Sequence, residues 1–284
     1  MTTDTQRWNL LHRKAQQAKS VRAVELLRAA GIEPILIKGI AAEQYYPGDR
    51  IRPSIDIDLA VAEADFERAN RLSRSDAAEG MAIDLHKELR HLDTLEWQDL
   101  FERSKLLQFE NGSIRLLCAE DNLRVLCVHW LTDGGVYQER LWDIYYAVAN
   151  RPADFNWDRF LGVVSERRRR WLVCTVGLAG RYLGLDLSDT PILDEASKLP
   201  KWLTDAVERE WGDKVKPRPL EVSLNDPKIL IGQVKRRFRP NPIRATVQME
   251  GSFDARTRFF YRLGNFFMRI PSSYRRVSEA LRTK

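Results

Sequence analysis

Two carboxylates, Asp56 and Asp58, interrupt the apolar run "SIDIDLAV" with one isoleucine between them. The alternation is that of a β-strand, and on a strand residues two apart share a face. Asp56 and Asp58 therefore project together, while Ile55, Ile57 and Leu59 take the core side. Side-by-side carboxylates repel, and each loses hydration on burial unless it is paired. A divalent cation answers both costs, and Mg²⁺ in particular takes one or two protein carboxylates, waters and substrate phosphates. An edge strand with its polar face in water, or ion pairs to Arg50 and Arg52, would serve as well.

Two neighbouring features bear on the choice. In "ILIKG" a short apolar strand runs into Lys38 and Gly39 and then into the helical "GIAAEQYY". Glycine lets a backbone approach a ligand closely, and lysine adds a point charge for an anion. In "MAIDLHKEL" a second alternation puts Met81, Ile83 and Leu85 on one face and Asp84 and His86 on the other. That supplies a third carboxylate, or else only an exposed polar face.

These elements sit in a chain of 284 residues, 44% hydrophobic and 30% charged, the make-up of a globular protein. A helix over residues 8–30, closed by Gly31, precedes the strand "EPILIK". The segment "EADFERANRLSRSDAAEG" reads as an exposed helix ending at Gly80. Residues 119–150, 155–184 and 194–211 carry helical periods. The expected organisation is α+β to residue 117, helical over 118–213, then a basic, proline-punctuated segment over 214–284. That last segment holds 17 Lys and Arg against 5 Asp and Glu, so the chain's net +6 resides there.

No run approaches the roughly 20 apolar residues of a membrane span, and the polar start suggests no signal peptide. Cys118, Cys127 and Cys174 are widely spaced in apolar surroundings, which predicts reduced thiols and a cytoplasmic protein.

The block "LIKGIAAEQYYPGDRIRPSIDIDLAV" resembles the uncharacterised nucleotidyltransferase family within the DNA polymerase β-type superfamily. It shares a Lys-Gly turn, a Tyr-Pro, an Arg-Pro and Asp-hydrophobic-Asp-Leu. "IDLH" is similar to that family's third-carboxylate strand, and "CAEDNLRVLCVHW" and "RLWDIYYAV" to the opening helices of its C-terminal half. The resemblance implies a small mixed sheet with flanking helices, followed by a helical C-terminal domain. It implies transfer of a nucleoside monophosphate from a nucleoside triphosphate to a peptide or small-molecule acceptor, with pyrophosphate released. Asp56, Asp58 and Asp84 would hold two Mg²⁺ ions, and Lys38 and Gly39 would contact the β and γ phosphates, with Arg50 and Arg52 as further candidates for the nucleotide site. His86, on the face of Asp84, would touch the acceptor or a metal-bound water, or else is a polar residue beside the cleft. Ile40 stands where the wider superfamily has serine, and sixteen residues separate Gly39 from Asp56. A degenerate fold that senses nucleotide or binds another protein is the alternative reading, and an RNA-binding protein driven by its basic tail is a third.

The remaining residues of interest have local readings. Tyr45 and Tyr46 either stack on a base or pack their helix. His129 reads as a hydrogen-bonded core histidine, Asp143 as the partner of Arg140 or of a helix terminus or else as a cleft residue facing the base or acceptor, and "ERRRRW" as a solvated helix face. Phe259, Phe260, Leu263, Phe266, Phe267 and Ile270 form one helical stripe, which either docks on the protein's own body or meets an anionic partner.

Overall fold

A computed structural model describes residues 3–48, 50–89, 95–213 and 240–269. The chain forms two compact units, one of residues 1–127 with 142–165, the other of 128–141 with 166–284. The fold is α+β, with a five-stranded mixed sheet and many helices.

In the first unit, helix α1 (Thr3–Arg28) buries Val21, Ala23, Val24 and Leu27, whereas Leu10 and Leu11 are exposed. Gly31, at φ +73°, ends the helix, and the Ile32 N–H reaches back to the Leu27 carbonyl at 3.0 Å. Strand β1 (Ile35–Leu36) leads through Lys38 into the short helix α2 (Gly39–Glu43). Strand β2 (Ile57–Val61) follows, then α3 (Phe66–Ser73) and β3 (Ile83–Lys87). The helix expected over 63–80 is shorter than predicted, with a 3₁₀ turn on either side of α3. Helix α4 (Trp97–Arg103) precedes a hairpin of β4 (Lys105–Phe109) and β5 (Gly112–Leu116).

The sheet order is β3-β2-β1-β5-β4. Strand β2 runs antiparallel to β1 and parallel to β3, and β5 runs parallel to β1. Side-chain alternation divides the core between the two faces. Leu36, Ile57, Leu59, Val61 and Leu116 pack with α1 on one side, and Ile35, Ile37, Ala60 and Leu100 pack on the other. Asp58 belongs to the second face.

Ile55 departs from the expected stripe. Pairing of β2 begins at Ile57, and Ile55 lies before it, 79% exposed.

The first unit is completed by the start of α5 (Ala119–Thr132), by α6 (Leu141–Ala149) and by α7 (Trp157–Gly162). In the second unit, α8 (Glu166–Leu183), α9 (Leu193–Ala196), α10 (Lys201–Gly212), α11 (Pro242–Gln248) and α12 (residues 259–269) are helical. The "ERRRRW" run is solvated only at Glu166 and Arg167. Arg168 is buried and pairs with Glu250 at 2.9 Å, and Arg170 donates to the Glu195 and Lys198 carbonyls. The guanidiniums close contacts between neighbouring elements, which no helical period reveals. Helix α12 buries Asn265 and leaves Phe259, Phe260, Leu263 and Phe267 exposed; Ile270 lies outside the described residues. Among the described residues no helix is long and apolar enough to cross a membrane.

Candidate active site at the lysine–glycine turn

The parallel β2–β3 pairing sets Asp58 opposite Asp84 and Ala60 opposite His86. The side chains of Asp58, Asp84 and His86 thus meet on one face, each offering a ligand atom within 4.8 Å of the others. His86 Nε2 lies 3.1 Å from Asp58 Oδ1 and 3.4 Å from Asp84 Oδ2. Asp56 is not part of this group. It lies one residue before β2, is exposed, and its carbonyl accepts the Ser54 hydroxyl at 3.1 Å.

Lys38 joins the cluster from β1. The Ile37 N–H bonds the Asp58 carbonyl at 3.0 Å, which fixes the turn beside β2. Lys38 has φ +57° and ψ −142°, a backbone region that favours glycine and costs a side-chain-bearing residue about 1–3 kcal/mol. Only 8% exposed, it donates Nζ to Asp58 Oδ1 at 2.6 Å and stands 3.3 Å from His86 Nε2. The strained turn thereby aims an ammonium into the cluster. Gly39 follows at φ +33°, and a Cβ there would touch the Ser54 hydroxyl.

The electrostatics follow this geometry. Burial pushes the Asp58 carboxyl up, but hydrogen bonds from His86 and Lys38 outweigh it and hold the group down at about 2. Burial pulls the His86 imidazole down, but its bonds to Asp58 and Asp84 outweigh that, and the net shift is upward.

Arg50 and Arg52 do not pair with Asp56 or Asp58. Arg52 forms a two-pronged pair with Asp143, Nε to Oδ1 and NH2 to Oδ2, both at 2.8 Å. Tyr46 donates its hydroxyl to the same carboxylate at 2.7 Å. Arg50 lies 4.0 Å over the Trp142 ring and donates to the Tyr146 hydroxyl at 2.8 Å. Tyr46 therefore braces the loop after α2 with its hydroxyl and packs its ring on Tyr146. Tyr45 accepts the Asn150 side chain at its carbonyl. Arg52 still feels the charge of Asp58, which helps to raise its pKa after Asp143 has offset the loss from burial.

Asp143 sits in the first turn of α6, as its helix-terminus reading expects, but its partner is Arg52; Arg140 pairs with Asp133 instead. The signal for this brace is a carboxylate within the apolar "RLWDIYYAV", which demands a cationic partner without saying which. His129 is half-buried and hydrogen-bonded to Arg140 at 3.0 Å. Asn122, fully buried in α5, donates to the Ala41 carbonyl of α2 at 3.1 Å and anchors the far end of the lysine–glycine turn.

An α+β fold that brings two carboxylates, an imidazole and a lysine–glycine turn together across a mixed sheet is consistent with a nucleotidyltransferase core. The model of an uncharacterised nucleotidyltransferase family matches residues 3–184, and the chain belongs to that family. No curated protein and no solved structure matches it. Nucleotidyltransferases commonly use divalent metals, and the donor set fits one: two carboxylate oxygens and a ring nitrogen converge, and the ammonium of Lys38 shows that the cluster accepts a positive centre.

Proposed function

We propose that the chain moves a nucleoside monophosphate from a nucleoside triphosphate to a hydroxyl or phosphate of a peptide or small-molecule acceptor, releasing pyrophosphate. The observation that carries this reading is the convergence of Asp58, Asp84 and His86 beside Lys38. Asp58 and Asp84 would hold a divalent ion, Mg²⁺ on carboxylate chemistry alone. Bound there, the metal supplies charge neutralisation for the triphosphate and the leaving pyrophosphate.

The protein's own groups do the positioning. Lys38 places its charge for phosphate oxygens, and Gly39 allows the substrate to approach the backbone. Arg52, held by Asp143, would add a second positive charge, one that already feels the charge of Asp58. Arg50, laid on Trp142, gives a planar surface at the edge of the nucleotide site. Asp84, the more exposed of the two converging carboxylates, would take the proton of the acceptor hydroxyl. Three free, buried cysteines fit a cytoplasmic setting. The basic segment 214–284 would serve an anionic partner.

The Lys38–Asp58 ion pair favours a second reading, in which the fold senses nucleotide without turnover. Pyrophosphate release from labelled nucleoside triphosphates separates the two readings. Turnover that needs a divalent ion and disappears in the folded Asp58→Asn, Asp84→Asn double variant supports the transferase. Turnover that survives in that variant removes the site.

A further inference from the structure

Asp56, Asp58 and Asp84 make an all-carboxylate metal site on paper. The folded chain offers something else, because Asp56 stands off and His86 takes the third place. In a six-coordinate shell with bonds of about 2.1 Å, neighbouring ligand atoms lie about 3 Å apart. His86 Nε2 is 3.1 Å from Asp58 Oδ1 and 3.4 Å from Asp84 Oδ2, the spacing of adjacent vertices around one ion. Parallel pairing of β2 and β3 enforces this, since the three donors come from rungs two apart on one ladder, Asp58–Asp84 and Ala60–His86, whose side chains share a face. Asp58 and His86 also face a positive centre on the side of the lysine–glycine turn. The Lys38 ammonium lies 2.6 Å from Asp58 Oδ1 and 3.3 Å from His86 Nε2, so the imidazole edge and the carboxylate face the same cation.

We infer that His86 is a direct metal ligand through Nε2, and that the site of two carboxylates and one imidazole takes Mn²⁺ in preference to Mg²⁺. The inference rests on the metal-dependent transferase reading and specifies the ion it uses. Mg²⁺ is a hard ion that holds its waters and binds oxygen, whereas imidazole is a donor for transition metals. Mn²⁺ accepts carboxylates and phosphates as Mg²⁺ does, and gains from the nitrogen that Mg²⁺ does not use well. His86 thus sets ion choice, and Asp56 does not.

The test uses the full-length chain and Mn²⁺ alone. Electron spin-echo modulation reports whether a ¹⁴N nucleus is bonded to Mn²⁺, and calorimetry reports affinity for Mn²⁺ and Mg²⁺. Nitrogen modulation in the native protein, its loss in His86→Gln, and a fall in Mn²⁺ affinity of roughly tenfold or more would support the assignment. The native protein itself carries the decisive readout, so it does not depend on the variant folding. Mn²⁺ bound without nitrogen modulation overturns His86 as a ligand and leaves the metal-dependent transferase standing. No Mn²⁺ bound at all, with Mg²⁺ also failing to bind, overturns both.

Discussion

Asp143→Ala tests the brace that organises the loop between α2 and β2. The Asp143 side chain is 5% exposed and that of Arg52 is 11%, so this pair is shielded from water. The carboxylate accepts two guanidinium N–H bonds at 2.8 Å and the Tyr46 hydroxyl at 2.7 Å. Alanine would leave a shielded guanidinium and a half-buried phenol without their acceptor. Removing one partner of a buried pair costs about 3–5 kcal/mol, whereas a solvated surface pair contributes about 0–1 kcal/mol. Urea denaturation followed by near-UV circular dichroism measures the difference. Taking away both charges, as in Asp143→Leu with Arg52→Met, should restore much of the loss, because no unpaired charge then remains. A single variant that costs less than about 1 kcal/mol would refute the reasoning. A double variant no better than the single would do the same.

Two further outcomes follow from the geometry. In metal-free buffer, Asp58 contributes to stability through its depressed pKa, about 2 in the fold against the ordinary 3.8. The contribution is present above pH 3.8, is lost as pH falls toward 2, and amounts to about 2 kcal/mol. Acid titration of unfolding free energy should therefore flatten in Asp58→Asn across that window, and an unchanged slope would exclude the pair from the folded state. Gly177→Ala sets helix propensity against packing in α8. Alanine favours a helix by about 1 kcal/mol, but its methyl would collide with the Ala196 carbonyl, where overpacking costs about 1–3 kcal/mol. The variant should melt below the native protein, and a rise in melting temperature would show that the two helices can part without cost.

Legibility differed from element to element. Asp84 and His86 were readable as face-sharing residues of one strand, and Asp58 as facing away from Ile57 and Leu59, because alternation is a property of the strand itself. The same alternation misplaced Ile55 and Asp56, since it cannot say where ladder pairing begins. The hairpin β4–β5 adds two strands that periodicity did not single out, since β4 is largely exposed and only Ile114 and Leu116 of β5 enter the core. In "ERRRRW" the charge pattern concealed a set of contacts to carbonyls and carboxylates far along the chain.

The amino-acid sequence alone determined the family, the lysine–glycine turn and which side chains share a face of each strand, because these depend on residues a few positions apart. Tertiary structure decided that Asp58 meets Asp84 and His86, that Asp56 stands aside, and that Arg52 is held by a carboxylate 91 positions later. Those outcomes depend on strand register and on burial, which arise only when distant segments exclude water together.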